Sequence, residues 1–179
     1  MKRLKGICLF LVIAAAALGG EARAADLTAY IGRVKPGSLT LDNVRRSLDG
    51  GPIYGIRLGH GFVPFIGLEH TLAFSSKFAR PEDFLSTRDV DGFVFNSNII
   101  VAPPLLRTVP YATVGVGVMH QYGRDAVFGT KPAVNYGGGV KFLSLLGPLG
   151  LRVDARGYSA TGGLNMFELT GGVILVFGR

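Results

Sequence analysis

Residues 108–158 read TVPYATVGVGVMHQYGRDAVFGTKPAVNYGGGVKFLSLLGPLGLRVDARGY. Three segments of similar length alternate in polarity here and are separated by turn residues. In the first, Ala112, Val114, Val116 and Val118 fall on one face and Tyr111, Thr113, Gly115, Gly117 and Met119 on the other. In the last, Leu151, Val153 and Ala155 share a face, while Arg152, Asp154, Arg156 and Tyr158 share the opposite one. Successive side chains of a strand point to opposite faces, so period two over ten residues means an apolar face backed by a polar or small one. A soluble sandwich buries the apolar face and wets the polar one. A membrane barrel turns the apolar face to lipid and keeps the polar face inside.

Outside this stretch, the start of the chain sets its destination. Lys2, Arg3 and Lys5 precede an apolar run of 12 residues, Ile7 to Leu18, and Ala22-Arg23-Ala24 offers a small-x-small site. This is the pattern of a secretory signal peptide spanning 1–24, with cleavage after Ala24. The run falls short of the ~20 residues that a membrane helix needs. Cys8, the single cysteine, leaves with the leader, so residues 25–179 have neither disulfides nor thiolate metal ligands. Losing Lys2, Arg3, Lys5, Arg23 and Glu21 takes 19 basic and 12 acidic residues to 15 and 11, a net charge of +4 instead of +7. No basic run exceeds Arg45-Arg46, which gives nucleic-acid binding no support.

Of 27 glycines, Gly6, Gly19 and Gly20 belong to the leader, and the other 24 run through the apolar segments. Each costs a helix ~1 kcal/mol relative to Ala. Helices are therefore disfavoured, and after the leader no stretch of 18 apolar residues occurs. A hydrophobic, glycine-rich, exported chain without a spanning helix fits a β-barrel in an outer membrane.

Eight strands are expected: Leu27–Val34, Pro52–Gly61, Ile66–Phe74, Gly92–Ala102, Thr108–Gly123, Pro132–Leu143, Leu149–Tyr158 and Leu164–Phe177. The first alternates poorly and leaves the face of Arg33 open. His70 falls on an apolar face. An apolar band of ~25 Å crossed at ~40° needs about ten residues at ~3.3 Å each, which these segments supply. Connections are long after the first, third and fifth strands and short after the second, fourth and sixth. The polar loops Lys35–Gly51 and Lys77–Asp91 thus lie at one end, with the N-terminus at the other. The seventh connection, Ser159–Gly163, is short where a long one is due.

The segments GLEHTLAF (67–74), FNSNIIVAPP (95–104), VPYATVGVGV (109–118), NYGGGVKF (135–142) and LRVDARGY (151–158) resemble the small outer-membrane β-barrel family that includes OmpA-like and OmpX-like domains. The resemblance covers essentially all of residues 25–179. It implies an all-β, eight-stranded antiparallel up-and-down transmembrane barrel in the outer membrane of a Gram-negative bacterium. The chain would be exported through the periplasm and inserted by the outer-membrane assembly machinery, with membrane lipid and lipopolysaccharide as its surroundings. Family members often end on an aromatic residue that the machinery reads. Phe177 looks like that residue, although Gly178-Arg179 follow it.

The inward face of such a barrel holds Arg57, Glu69, Lys141, Arg152, Asp154, Arg156 and Glu168. With the turn after the second strand centred near Val63, Arg57 lies across from Glu69. Facing opposite charges contribute ~0.2–1 kcal/mol where exposed. An unpaired charge inside a narrow barrel is far more costly, so pairing is nearly forced. Asp154, Arg156 and Glu168 form a second cluster across the last two strands. Eight strands enclose just enough room for side chains, so a lumen filled by these charges is the first reading. A gated ion path is the second, and a catalytic carboxylate pair is the third.

His60, His70 and His120 show no ligand spacing, and no metal or cofactor is expected. An envelope lipid-modifying enzyme would draw on His120, but its same-face neighbours Val118 and Tyr122 supply no nucleophile. Gly115-Val116-Gly117 and Gly137-Gly138-Gly139 precede no helix and are not phosphate loops; glycines there ease curvature or leave lumen space. Phe62, Phe78, Tyr122, Tyr158 and Phe177 sit near segment ends and would form interfacial girdles or pack loops. The expectation is a non-enzymatic barrel with a structural or loop-presenting role, a small porin-like channel being the alternative.

Overall fold

The computed structural model describes residues 25–41, 44–78, 80–81, 90–103, 107–123, 126 and 128–177. The leader reading and the two residues after Phe177 lie outside them. Eleven strands follow in order: β1 (Ala25–Pro36), β2 (Ser38–Leu41), β3 (Val44–Asp49), β4 (Gly51–Val63), β5 (Ile66–Ser75), β6 (Arg80–Pro81), β7 (Asp91–Val101), β8 (Thr108–Tyr122), β9 (Thr130–Leu146), β10 (Leu149–Ala160) and β11 (Leu164–Phe177).

Eight of them close a barrel in the order β1-β11-β10-β9-β8-β7-β5-β4. Each pairs antiparallel with its chain neighbour among the eight, and the seam joins the first to the last, Ala25↔Phe177 to Pro36↔Met166. Closure leaves no strand edge in the wall. Several barrel strands run a residue or more beyond their expected ends, β9 furthest at 17 residues.

The ends differ. At the base lie both barrel termini and short turns, including Gly147-Pro148, where Gly147 takes φ +62°. At the mouth, the loops expected to be irregular contain a second sheet. β2 pairs with β3, and β3 pairs with β6 through Leu48↔Pro81 and Asp49↔Arg80. Loop backbone needs hydrogen-bond partners as much as any other, and the two long loops pair with each other. The short seventh connection is explained by Gly162 and Gly163, whose φ values of +83° and +76° turn the chain in three residues.

The wall is inverted relative to a soluble sandwich. Ile31, Val116, Tyr136, Leu151 and Leu169 point outward and are half exposed or more, with Ile31 at 66%. The inward face is polar across its middle and is buried. Arg33, left open by the sequence, points outward and is exposed, as does Lys35. An outward row runs across four strands by direct register: Tyr54↔Phe74, Phe74↔Phe93 and Phe93↔His120. Tyr122 and Phe177 are also outward, at 44% and 48% exposure. Phe78 and Tyr158 correct the girdle reading, since both turn into the lumen and are buried. The side chain of Phe62 lies outside the described residues.

Candidate functional site

Alternation alone puts charge inside the barrel; closure decides which charges meet. Three guanidiniums and three carboxylates, from four different strands, converge at mid-lumen. Arg57 on β4 reaches across to Asp154 on β10 (Nη1–Oδ2 2.8 Å) and Glu168 on β11 (Nη2–Oε1 2.6 Å). Glu69 on β5 accepts from Arg152 (2.5 Å) and Arg156 (2.6 Å), both on β10. Asp154 lies between those two arginines, 3.0 Å from Arg152 Nε and 3.1 Å from Arg156 Nη2. The six charges sum to zero, and every one of these side chains is 0–1% exposed.

Tyrosines complete the shell. Tyr158 donates to Glu168 (3.0 Å), and Tyr111 donates to Asp154 while accepting from Arg152 Nε (2.9 Å). The Arg57 guanidinium lies 3.7 Å from the centroid of the Tyr30 ring, and that of Arg152 lies 4.7 Å from Tyr111. Such contacts add attraction beyond the ion pairs themselves. Beside them the amides of Asn98 and Asn135 hydrogen-bond each other, and Thr113 bonds Asn98. The inward glycines leave this room: a Cβ at Gly139 would meet the Tyr111 hydroxyl at 2.6 Å, and one at Gly115 the Asn98 amide at 2.4 Å.

Two sequence expectations need correction. Arg57 does not face Glu69. It pairs in register with Thr71, and Glu69 with Gly59, because the turn centres on Pro64-Phe65 and a bulge lies between Gly61 and Val63. Arg57 and Glu69 still approach to 4.0 Å, but their stronger partners lie across the lumen. The second cluster is not separate either: Arg156↔Glu168 is a register pair, yet Asp154 and Glu168 both bind Arg57, so the two clusters are one. Lys141 stands apart near the base, 2.6 Å from Asp26, with side chains 10% and 17% exposed. Asp26 and Tyr30 were missed by the sequence reading, which put Tyr111 and Tyr158 on the polar face without joining them to the charges; the inward parity of β1 was the available signal.

The mouth carries an apolar plug. Val34, Ile53, Ala73, Val94, Met119, Leu164 and Met166 form a buried cluster that Phe78 and Phe128 join from the loops. The Phe78 and Phe128 rings meet edge-on at 6.3 Å. Gln121 holds both loops, donating to the Phe78 carbonyl (2.7 Å) and accepting from the Phe128 amide (3.1 Å). Gly92 makes space for Phe78, since a Cβ there would lie 2.3 Å from its ring.

No family model matches this sequence, and no curated protein matches it. Solved structures do. Neisserial surface protein A aligns over 85% of this chain and 97% of its own with a TM-score of 0.64 at 13% identity. OprG from Pseudomonas aeruginosa, an outer membrane protein, aligns over 88% and 97% with a TM-score of 0.63 at 10% identity. This chain has the fold of the small eight-stranded outer-membrane barrels. The N-terminal β-barrel domain of Pseudomonas aeruginosa OprF shares that fold over 87% of this chain and 98% of its own, with a TM-score of 0.58 at 15% identity.

On this barrel the histidines lie outward. His120 Nδ1 is 2.9 Å from Thr130 Oγ1, and its ring contacts Phe93 and Tyr122. Thr130 is a hydroxyl that the sequence reading did not place beside it. His70 is less awkward than its apolar face suggested, because its Nδ1 is 2.9 Å from Ser97 Oγ on the neighbouring strand. Among the described residues no group of three or more His, Cys, Asp or Glu could hold a metal ion.

Proposed function

We propose that the chain is an integral outer-membrane barrel, non-enzymatic, that braces the envelope and holds its two-loop sheet at the cell surface. The observation carrying this reading is the pairing of a lipid-compatible exterior with a lumen occupied by side chains at its mouth, centre and base. A contiguous exposed apolar surface of this extent is untenable in water. The lumen has an apolar plug at the mouth, a neutral ion-pair lattice at the centre and the Asp26–Lys141 pair near the base. Phe177 on the seam strand would serve the assembly machinery as the terminal aromatic residue.

The test combines localisation with electrophoresis. The mature protein should sediment with outer membranes and run differently on a gel before and after boiling. Release into the aqueous fraction without detergent would overturn the reading. A conducting pore is the competing view, supported by the charged lumen. Planar bilayers containing the purified protein should stay silent, and discrete single-channel steps would favour the pore. For the non-enzymatic part, lipid A profiles should be the same in wild-type, deletion and His120→Ala strains.

A further inference from the structure

The outward face breaks its regularity at one place near the mouth. Tyr136, Gly157, Phe167 and Lys35 stand side by side on β9, β10, β11 and β1, each in direct register with the next. The second of the four has no side chain, so a gap opens between the two rings. The result is an open groove of about 500 Å³, floored by Gly157 and Ala155 and walled by Tyr136 and Phe167. That volume lies within the ~300–1,000 Å³ of small-molecule sites. The Tyr136 ring leans over the gap, since a Cβ on Gly157 would lie 2.9–3.1 Å from its Cζ, Cε2 and hydroxyl.

Polarity changes along the groove. Its lower part is apolar. Toward the mouth the lining passes to Asn165, which bonds Ser159 at 2.9 Å, and to the exposed Lys35. One turn of the pleat below, the exposed Arg33 faces out beside Leu169. Two exposed cations on an otherwise apolar outward stripe are costly in hydrocarbon unless they reach the interface or meet an anion. An apolar slot whose open end carries positive charge matches a molecule with an acyl chain and an anionic headgroup. Its place at the mouth assigns that molecule to the outer leaflet.

We infer that this groove binds one phosphorylated, acylated glycolipid of the lipid A type, with an acyl chain between Tyr136 and Phe167 and a phosphate at Lys35 and Arg33. The site rests on the outer-membrane reading above.

The test uses the full mature protein in zwitterionic micelles, with native mass spectrometry counting retained lipid. The probes are bisphosphorylated lipid A, its dephosphorylated counterpart and phosphatidylglycerol. Wild type should retain one lipid A. The Arg33→Ser/Lys35→Ser double variant should bind it about tenfold more weakly, as should the dephosphorylated lipid on wild type. Gly157→Leu, which fills the slot while the exposed Tyr136 ring swings aside, should also lose retention. Equal retention by all variants, or equal retention of phosphatidylglycerol, overturns the site. Boiling-dependent gel mobility separates the two levels: an intact shift with unchanged retention sinks only the lipid site, and a water-soluble product without a shift sinks the outer-membrane reading as well.

Discussion

Glu69 shows what a single residue does in this lumen. It is the carboxylate shared by Arg152 and Arg156, so removing it leaves two buried guanidiniums short of a partner. Glu69→Ala should cost about 3–5 kcal/mol, the scale for breaking a buried ion pair. Lys141→Ala should cost less, on the order of 1–2 kcal/mol, because Lys141 and Asp26 both keep some contact with water. Urea midpoints in lipid vesicles give the comparison, and equal losses would contradict a sealed centre and a wetter base. The sequence assigned the face of all seven charged residues but not their partners. Alternation reports parity, whereas the partner of Arg57 depends on where the sheet curls back, and its best contacts are about 100 residues away along the chain.

At the scale of elements, β4 and β5 explain the main error of register. A turn centred near Val63 would have matched Arg57 with Glu69; the turn at Pro64-Phe65 and the one-residue bulge before Val63 together move the pairing by two residues. Parity survives such a shift, and so the faces were read correctly while the opposing pairs were not. The mouth sheet was illegible for a different reason: β2, β3 and β6 are short, come from two loops far apart in the chain and carry no sustained alternation. Phe78 is the element-level counterpart of Glu69. Phe78→Ala would empty a fully buried ring site and should cost about 3 kcal/mol. It should also speed proteolysis of the loop after β5, because the Gln121 tether then holds a strand end with no anchor beneath it. Bilayers of this variant should remain silent, since the ion-pair lattice lies below the plug. Conductance appearing on this substitution alone would mean that the plug is the gate.

On the proposed outer-membrane placement, the whole molecule is defined by which side meets lipid. The only cysteine is Cys8, so a cysteine placed in residues 25–179 meets no other within that range. Val116→Cys, at a position 65% exposed on the outer wall, should react with a membrane-soluble maleimide in vesicles. Thr113→Cys, at a buried inward position, should not. The reverse pattern would turn the barrel inside out. The seam between β1 and β11 has a further consequence for how the molecule is made. Of the six central charges, two enter with β4 and β5 and four with β10 and β11, at opposite ends of synthesis. A half-built sheet would carry Arg57 and Glu69 toward hydrocarbon without the counter-ions that neutralise them, beside unpaired backbone on two open edges. Stepwise threading, one hairpin after another, is thereby disfavoured: the ribbon must curl into a cylinder, first strand meeting last, before or as it leaves water.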